Sequence, residues 1–252
     1  SIPFETVMQI AKQSPVNITI ASFYDSSEKQ SINTDTPFEC CYLGAESRFD
    51  LDAWRRFYRE LRTGGYDILH THHNFSGSIA RILASSTAIG IITTEHRQHS
   101  SYTVLQNLVN APTLPLADHI ICNSIATNNS LCWYEQLFID ENQISTIYNG
   151  IDSDRIDLVG ESVEGDNMDP TVVTVGRHVP VKNYETLVEA FATVHRRIPD
   201  ATLSLIGDGP LRAQLEAQAV DLGISNAVAF LGEISREEVY RELIRADVFT
   251  IP

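Results

Sequence analysis

Between Thr171 and Pro252 short β-branched runs alternate with single amphipathic segments, and this alternation leaves the chain few folds to choose from. Thr171 to Val175 (TVVTV) reads as a buried strand that stops at Gly176. Tyr184 to Arg197 places Leu187, Val188, Phe191 and Val194 at helical spacing, and Pro199 follows. Ala201 to Ile206 (ATLSLI) reads as the next strand, and Gly207-Asp208-Gly209-Pro210 turns the chain. Pro210 suits the first position of a helix that carries Leu211, Leu215 and Ala219 towards a cap at Gly223. Ala227 to Leu231 is a third strand, Ser235 and Glu238 have capping-box spacing for a helix through Arg245, and Val248 to Ile251 opens a fourth strand. Strands separated by single helices specify a parallel sheet, because parallel neighbours need a crossover connection.

The first half repeats the alternation less cleanly. Strands are expected at Val16 to Ser22, Tyr66 to Thr71, Gly90 to Thr94, His119 to Asn123 and Ser145 to Tyr148. Helices are expected at Leu51 to Arg62, Ser78 to Ser86, Val104 to Val109, and Ala126 to Phe138 behind a cap at Ser124. The fold class is therefore α/β, with two Rossmann-like domains: 1–153 and 170–252. Residues 154–169 read as an acidic linker, with Asp154, Asp157, Glu161, Glu164, Asp166 and Asp169 against Arg155 alone.

Composition narrows the partners. Among 252 residues, 33 are acidic and 18 basic, for a net charge of −15, and only Lys12, Lys29 and Lys182 are lysine. This acidic, lysine-poor pattern resembles that of proteins from salt-loving organisms. It argues against a nucleic-acid partner, which a negative field repels. Residues 1–169 hold 22 acidic and 10 basic groups, whereas 170–252 hold 11 and 8, so the second half is nearly neutral. Cys40, Cys41, Cys122 and Cys132 lack metal-ligand or disulfide-framework spacing, which suits reduced thiols in a cytoplasmic protein. No apolar run reaches the roughly 18 residues of a membrane span. Trp54, Phe57, Tyr58 and Leu61 form a stripe with Arg55, Arg56, Arg59 and Arg62 around it. Such a helix could lie on an anionic membrane, but a crossover helix packing its aromatics on a sheet is the expectation.

Ligands of parallel α/β sheets sit at the carboxyl ends of the strands, and three segments there carry groups a core does not need. After Gly176, Arg177 and Lys182 stand five residues apart ahead of a helix, which suits a diphosphate or, more blandly, a solvated basic turn. Gly207, Asp208 and Gly209 open a helix as a phosphate-binding loop would, or as any tight turn would. They lack the spacing of a dinucleotide fingerprint or a P-loop. His70, His72, His73, His96 and His99 crowd into 30 residues. Their spacing matches no zinc motif, so no metal is expected, and a cleft-lining polar role for at least one is the expectation.

These residues carry a resemblance. Val175-Gly176-Arg177 with Lys182-Asn183, Leu205 to Pro210, Val228 to Gly232 and Ala246-Asp247-Val248 resemble the donor-binding domain of glycosyltransferase family 4, the retaining GT-B enzymes. Tyr66 to His72, Thr93-Thr94-Glu95-His96, Ala117 to Ser124 and Ile147 to Asp152 resemble its acceptor-side domain. The resemblance implies transfer of a sugar from a nucleotide diphosphate sugar to an unidentified polysaccharide, lipid or small molecule, with no metal or other cofactor. Arg177 and Lys182 would hold the diphosphate, Gly207, Asp208, Gly209, Gly232 and Ile234 would line the nucleotide crevice, and His96 would face the transferred sugar as the catalytic-site histidine. The location expected is cytoplasmic, with peripheral attachment to the inner membrane face as an option.

Two family features have no counterpart: the glycine-rich loop that should precede Val16, and the paired glutamates that should follow Pro252. Both domains are thus expected to be incomplete and the fragment inactive by itself. A non-catalytic nucleotide or sugar-phosphate binding module, or an epimerase on the same fold, are the alternatives.

Overall fold

Strand-forming runs in the first half of the chain meet as two parallel sheets. The structure is a computed structural model, and it describes residues 7, 9–11, 13–24, 38–163 and 169–252. The chain divides into two compact units, Ser1–Gly150 and Ile151–Pro252. In the N-terminal unit β1 (Thr19–Ser22) pairs with β2 (Glu39–Tyr42). A second sheet takes the order β3 (Ile68–Thr71), β4 (Gly90–Glu95), β5 (His119–Cys122), β6 (Ile144–Thr146), all parallel. Between β2 and the end of this unit lie five α-helices: α1 (Leu51–Thr63), α2 (Asn74–Ala84), α3 (Val104–Asn110), α4 (Ile125–Asn129) and α5 (Trp133–Gln136).

The start of α1 is set by Asp50, whose carboxylate accepts from the Asp52 and Ala53 N–H groups at 3.0 Å each, a cap worth about 1 kcal/mol. Ala53, Trp54, Phe57 and Leu61 are buried in the core with Ala84, Ile91, Leu114 and Ile120. The aromatic stripe therefore serves as a crossover helix, and Arg56 donates to the Leu43 carbonyl. Burying each large side chain contributes roughly 1.5–3 kcal/mol. No helix among the described residues is long and apolar enough to cross a membrane.

Two expectations for this unit need correction. β2 is a strand that the alternation does not announce, since Glu-Cys-Cys-Tyr has neither period 2 nor a β-branched run. The helix expected from Ala126 to Phe138 is two short ones, broken at Ser130–Cys132. Ser130 Oγ donates to the Thr127 carbonyl and accepts from the His99 N–H, and the Cys132 N–H turns to the Glu135 carboxylate at 2.6 Å. Side-chain partners here outcompete the helical ladder.

In the C-terminal unit, α6 (Ser153–Glu161) precedes β7 (Thr171–Val175), α7 (Tyr184–Arg197), β8 (Thr202–Ile206), α8 (Arg212–Asp221), β9 (Val228–Gly232), α9 (Arg236–Arg245) and β10 (Val248–Phe249). The sheet order is β10-β7-β8-β9, all parallel. β8 is central and Leu203, Ser204, Leu205 and Ile206 are all buried, as a strand covered on both faces requires. Val188, Phe191 and Ala192 of α7 and Leu215 and Ala219 of α8 pack on it.

The Ser235 side chain accepts from the Glu238 N–H and the Glu238 carboxylate from the Ser235 N–H, completing the capping box. Gly223 adopts φ +70°. Its N–H bonds Val220 and that of Ile224 bonds Ala219, the paired closing bonds of a glycine-terminated helix. Pro210 lies in the turn before α8 and not at its first position, because the loop bends back onto residue 178.

The acidic stretch also differs from expectation. Ser153–Glu161, expected within or beside a linker, form α6, and the unit boundary falls at Gly150. Asp152 caps the helix by accepting from the Arg155 N–H at 3.1 Å, Val159 is buried, and Arg155 pairs with Glu237 of α9 at 3.0 Å. Charges placed on one outer face do not repel a helix apart when the opposite face packs. Residues 164–168 of the expected linker lie outside the described residues.

Candidate functional site

In the C-terminal unit three glycines bring three strand ends together. The Gly176 N–H donates to the Ile206 carbonyl at 2.9 Å and the Gly207 N–H to the Gly232 carbonyl at 2.8 Å. A Cβ on Gly207 would collide with the Gly176 carbonyl oxygen and stand 2.9 Å from its carbon, and Gly207 has φ +119°. Only glycine satisfies both conditions. Gly207→Ala is expected to destabilise this unit by about 3 kcal/mol through overpacking and backbone strain. Chemical denaturation of the purified variant measures this, and an unchanged midpoint would contradict the close approach.

The next loop is tied across in the same way. The His178 N–H donates to the Asp208 carbonyl at 2.9 Å, and the Leu211 N–H donates to the His178 carbonyl at 3.1 Å. A Cβ on Gly209 would lie 2.8 Å from the His178 nitrogen, so the two loops touch backbone to backbone. Asp208 serves this arrangement. Its carboxylate accepts from the Gly209 N–H at 2.6 Å and from Arg212 at 3.1 Å, and these bonds hold it below the usual carboxylate range. The His178 ring is fully buried, edge-on to Tyr184 and Phe230, and has no hydrogen-bond partner among the described residues. Burial pushes its pKa down, so it packs as a neutral ring.

Arg177 and Lys182 flank this glycine floor. Lys182 ends a 3-10 turn (Pro180–Lys182), and Asn183 at φ 50° redirects the chain into α7. The missing Cβ of Gly176 makes room for the Tyr184 hydroxyl, 2.8 Å from that position, and for Lys182 Cε at 3.7 Å. Lys182 therefore runs back over the strand end, half-buried, while Arg177 is exposed. Neither pairs with a carboxylate among the described residues, in contrast to Arg212, which bonds Asp208 and Glu216. Gly232 and the half-buried Ile234 close the same edge after β9. The sequence-chosen residues of this unit thus converge on the carboxyl ends of β7, β8 and β9. Asp208 and Gly209 do so as parts of the loop's own bonding.

In the N-terminal unit the histidines separate into two groups. His70, His72 and His96 stack at the carboxyl ends of β3 and β4, with ring centroids 4.1 Å and 5.4 Å apart in that order. His70 Nε2 lies 2.8 Å from Thr94 Oγ1, and His72 Nδ1 lies 3.2 Å from His96 Nε2. Burial lowers all three pKa values, most for His72, which falls to about 3 with help from its two neighbours. Neutral rings let one histidine donate and the other accept. His73 stands at the N-cap of α2 without a side-chain capping bond. No group of three or more His, Cys, Asp or Glu side chains among the described residues is placed to hold a metal ion.

His99 turns the other way, into the core. Its Nδ1 lies 2.9 Å from the Glu135 carboxylate and its Nε2 3.6 Å from Glu95 Oε2. The two carboxylates outweigh burial and raise its pKa to about 9. Behind Glu95, Arg81 is 0% exposed. Its guanidinium donates to the Thr113 carbonyl at 3.1 Å and to Thr93, Asn110 and Thr113 side chains at 2.9, 2.6 and 2.8 Å. Asn110 in turn donates to Glu95 at 3.2 Å. Sequence reasoning misses this network. Its available signals are an arginine inside the apolar run Ile79 to Ala84 and the capping-box spacing of Cys132 and Glu135.

Comparison with known proteins fits this architecture. The Glycosyltransferase Family 4 sequence model matches residues 16–155, and that of Glycosyl transferases group 1 matches 161–252. A GDP-mannose-dependent alpha-(1-6)-phosphatidylinositol monomannoside mannosyltransferase of Mycolicibacterium smegmatis is 39% identical over 83 residues, 33% of this chain and 22% of that protein. The UDP-Gal:alpha-D-GlcNAc-diphosphoundecaprenol alpha-1,3-galactosyltransferase of Escherichia coli is 26% identical over 221 residues, 81% of this chain and 56% of its own length. The match thus spans about half or less of each of these relatives. Anabaena HepE, solved with UDP, superposes with a TM-score of 0.70 at 19% identity over 96% of this chain and 68% of that one, which supports the GT-B type of fold. With one family model spanning more than half of its residues and a second taking up most of the rest, the chain belongs to glycosyltransferase family 4.

Proposed function

We propose that the intact protein transfers a sugar from a nucleotide diphosphate sugar to a sugar- or lipid-bearing acceptor, with retention of configuration. The observation that carries this reading is the pair Arg177 and Lys182, free of carboxylate partners among the described residues and set beside the glycine floor of the C-terminal unit. Backbone without Cβ atoms lets a diphosphate approach closely, and two cations stabilise the negative charge that grows on the leaving nucleotide as the sugar–oxygen bond breaks. These side chains supply positive charge at the place where a divalent cation would otherwise be needed. Positive charge develops on the sugar at the same time, and the neutral His96 can accept from or donate to a sugar hydroxyl without adding to it.

The relatives support the donor and acceptor classes by their names: one uses GDP-mannose and a phosphatidylinositol mannoside, the other UDP-galactose and a diphosphoundecaprenol-linked sugar. An acceptor held in a bilayer would call for peripheral membrane association. Thermal shift of the intact protein with a panel of UDP-, GDP- and ADP-sugars, followed by transfer assays with the sugars that bind, tests the proposal. One nucleotide class is expected to stabilise the protein and to give a product of unchanged anomeric configuration. Absence of any stabilisation would overturn the donor assignment, whereas binding without transfer would favour a non-catalytic module.

A further inference from the structure

The segment from Glu95 to His99 is pinned at both ends by buried charge. Glu95 ends β4 at 3% exposure, and His99 and Glu135 are 0% and 1% exposed. The backbone is held as well. The Asn123 N–H donates to the Glu95 carbonyl, Asn123 Nδ2 donates to the His96 carbonyl at 3.1 Å, and Asn107 Nδ2 donates to the His99 carbonyl at 3.1 Å. His96 is the first residue after the first pin, with only Arg97 and Gln98 before the second.

Stability alone does not account for this arrangement. Taking two carboxylates and an imidazolium out of water is costly, and apolar side chains of similar volume commonly hold a core as well or better. What charge adds is a hydrogen bond of fixed length and direction to Glu135 at 2.9 Å, with Glu95 held opposite as an ion pair at 3.6 Å. We propose that His99, clasped between Glu95 and Glu135, is a positioning residue for His96, fixing the segment so that the His96 ring keeps its bond to His72 and presents its other nitrogen in one tautomer. The part this plays in transfer rests on the reading that His96 faces the sugar; the positioning itself does not.

The clasp has a defined response to pH. Glu95 and Glu135 face His99 directly, Tyr102 lies edge-on at 5.8 Å, Arg81 acts on Glu95 from behind, and Glu95 in turn acts on Cys122. Burial holds Tyr102 up to about 12 and Cys122 up to about 11. His99 is then the group of this cluster that changes charge first on the alkaline side. Because its folded pKa is raised, the clasp is fully present below the unfolded value near 6.5. It is lost as pH rises through about 9.

The test follows imidazole nitrogen resonances of the labelled intact protein from about pH 5 to about pH 10. His99 is expected to remain doubly protonated until about pH 9, and the single-tautomer pattern of His96 to change with the same midpoint. In Glu135→Gln the His99 midpoint should fall, and His96 should sample both tautomers. Transfer kcat should drop about tenfold, while donor KM, set in the other unit, stays within about twofold. Should that variant fail to fold, the titration of the unaltered protein decides. A His96 pattern indifferent to His99 deprotonation overturns the proposal. If the patterns are coupled but His96→Ala transfers sugar normally, the positioning stands and the sugar-facing reading of His96 falls.

Discussion

Replacing Arg177 and Lys182 together with alanine is expected to weaken nucleotide diphosphate binding by roughly a hundredfold to ten-thousandfold. Each charge-assisted hydrogen bond contributes about 1.5–3 kcal/mol, and each 1.4 kcal/mol is a factor of about ten. The two should not contribute equally. Lys182 is half-buried over the Gly176 position, where solvent screens its charge less, whereas Arg177 is exposed. Lys182→Ala should therefore cost more than Arg177→Ala, and added salt should erode the Arg177 share first. Neither residue carries an ion pair of the fold among the described residues, so the variants should melt normally. Calorimetric titration with the nucleotide checks the ordering, and an unchanged Kd in the double variant would remove the diphosphate site from this loop.

Arg81→Ala should cost about 3–5 kcal/mol, the range found when one partner of a buried charge cluster is deleted. The loss has three parts: a cavity under α2, the bonds to Thr93, Asn110 and Thr113, and the cation that offsets Glu95. Arg81→Lys should recover only part, since an ammonium has three donors where this site uses a planar fork. The tryptophans supply a convenient readout. Both Trp54 and Trp133 lie in the N-terminal unit, so intrinsic indole fluorescence during urea unfolding reports that unit. A midpoint unmoved in Arg81→Ala would mean that the network contributes nothing to stability.

Much of the fold is legible because its signals are local. Tyr184 to Arg197 has the same bounds in sequence and structure, and the Ser235 and Glu238 pair announces α9 before any packing is known. The same holds for Arg177, Lys182 and Gly207, which a strand-to-loop reading already places at strand ends, whereas Gly232 is singled out only by the family resemblance. The His99 clasp is not legible. Its partner Glu135 lies 36 residues away, and nothing in the local sequence distinguishes an inward His99 from an outward His96 three positions earlier. The break at Ser130 has the same origin, since the His99 N–H that Ser130 accepts arrives from 31 residues upstream. β2 escapes because its four residues owe their extended form to pairing with β1 rather than to their own pattern.

The attachment of α6 decides where these two units could be separated or exchanged between related chains. A junction drawn through the acidic stretch would leave Glu237 without Arg155 and bare the side chain of Ile244, whose Cδ1 lies 3.8 Å from the Cβ position of Gly160. The segment before α6 offers a better seam. Ile147, Tyr148 and Ile151 are 55%, 62% and 79% exposed, and a side chain on Gly150 would meet nothing within 4 Å. Chimeras joined there would carry the C-terminal unit with its own covering helix.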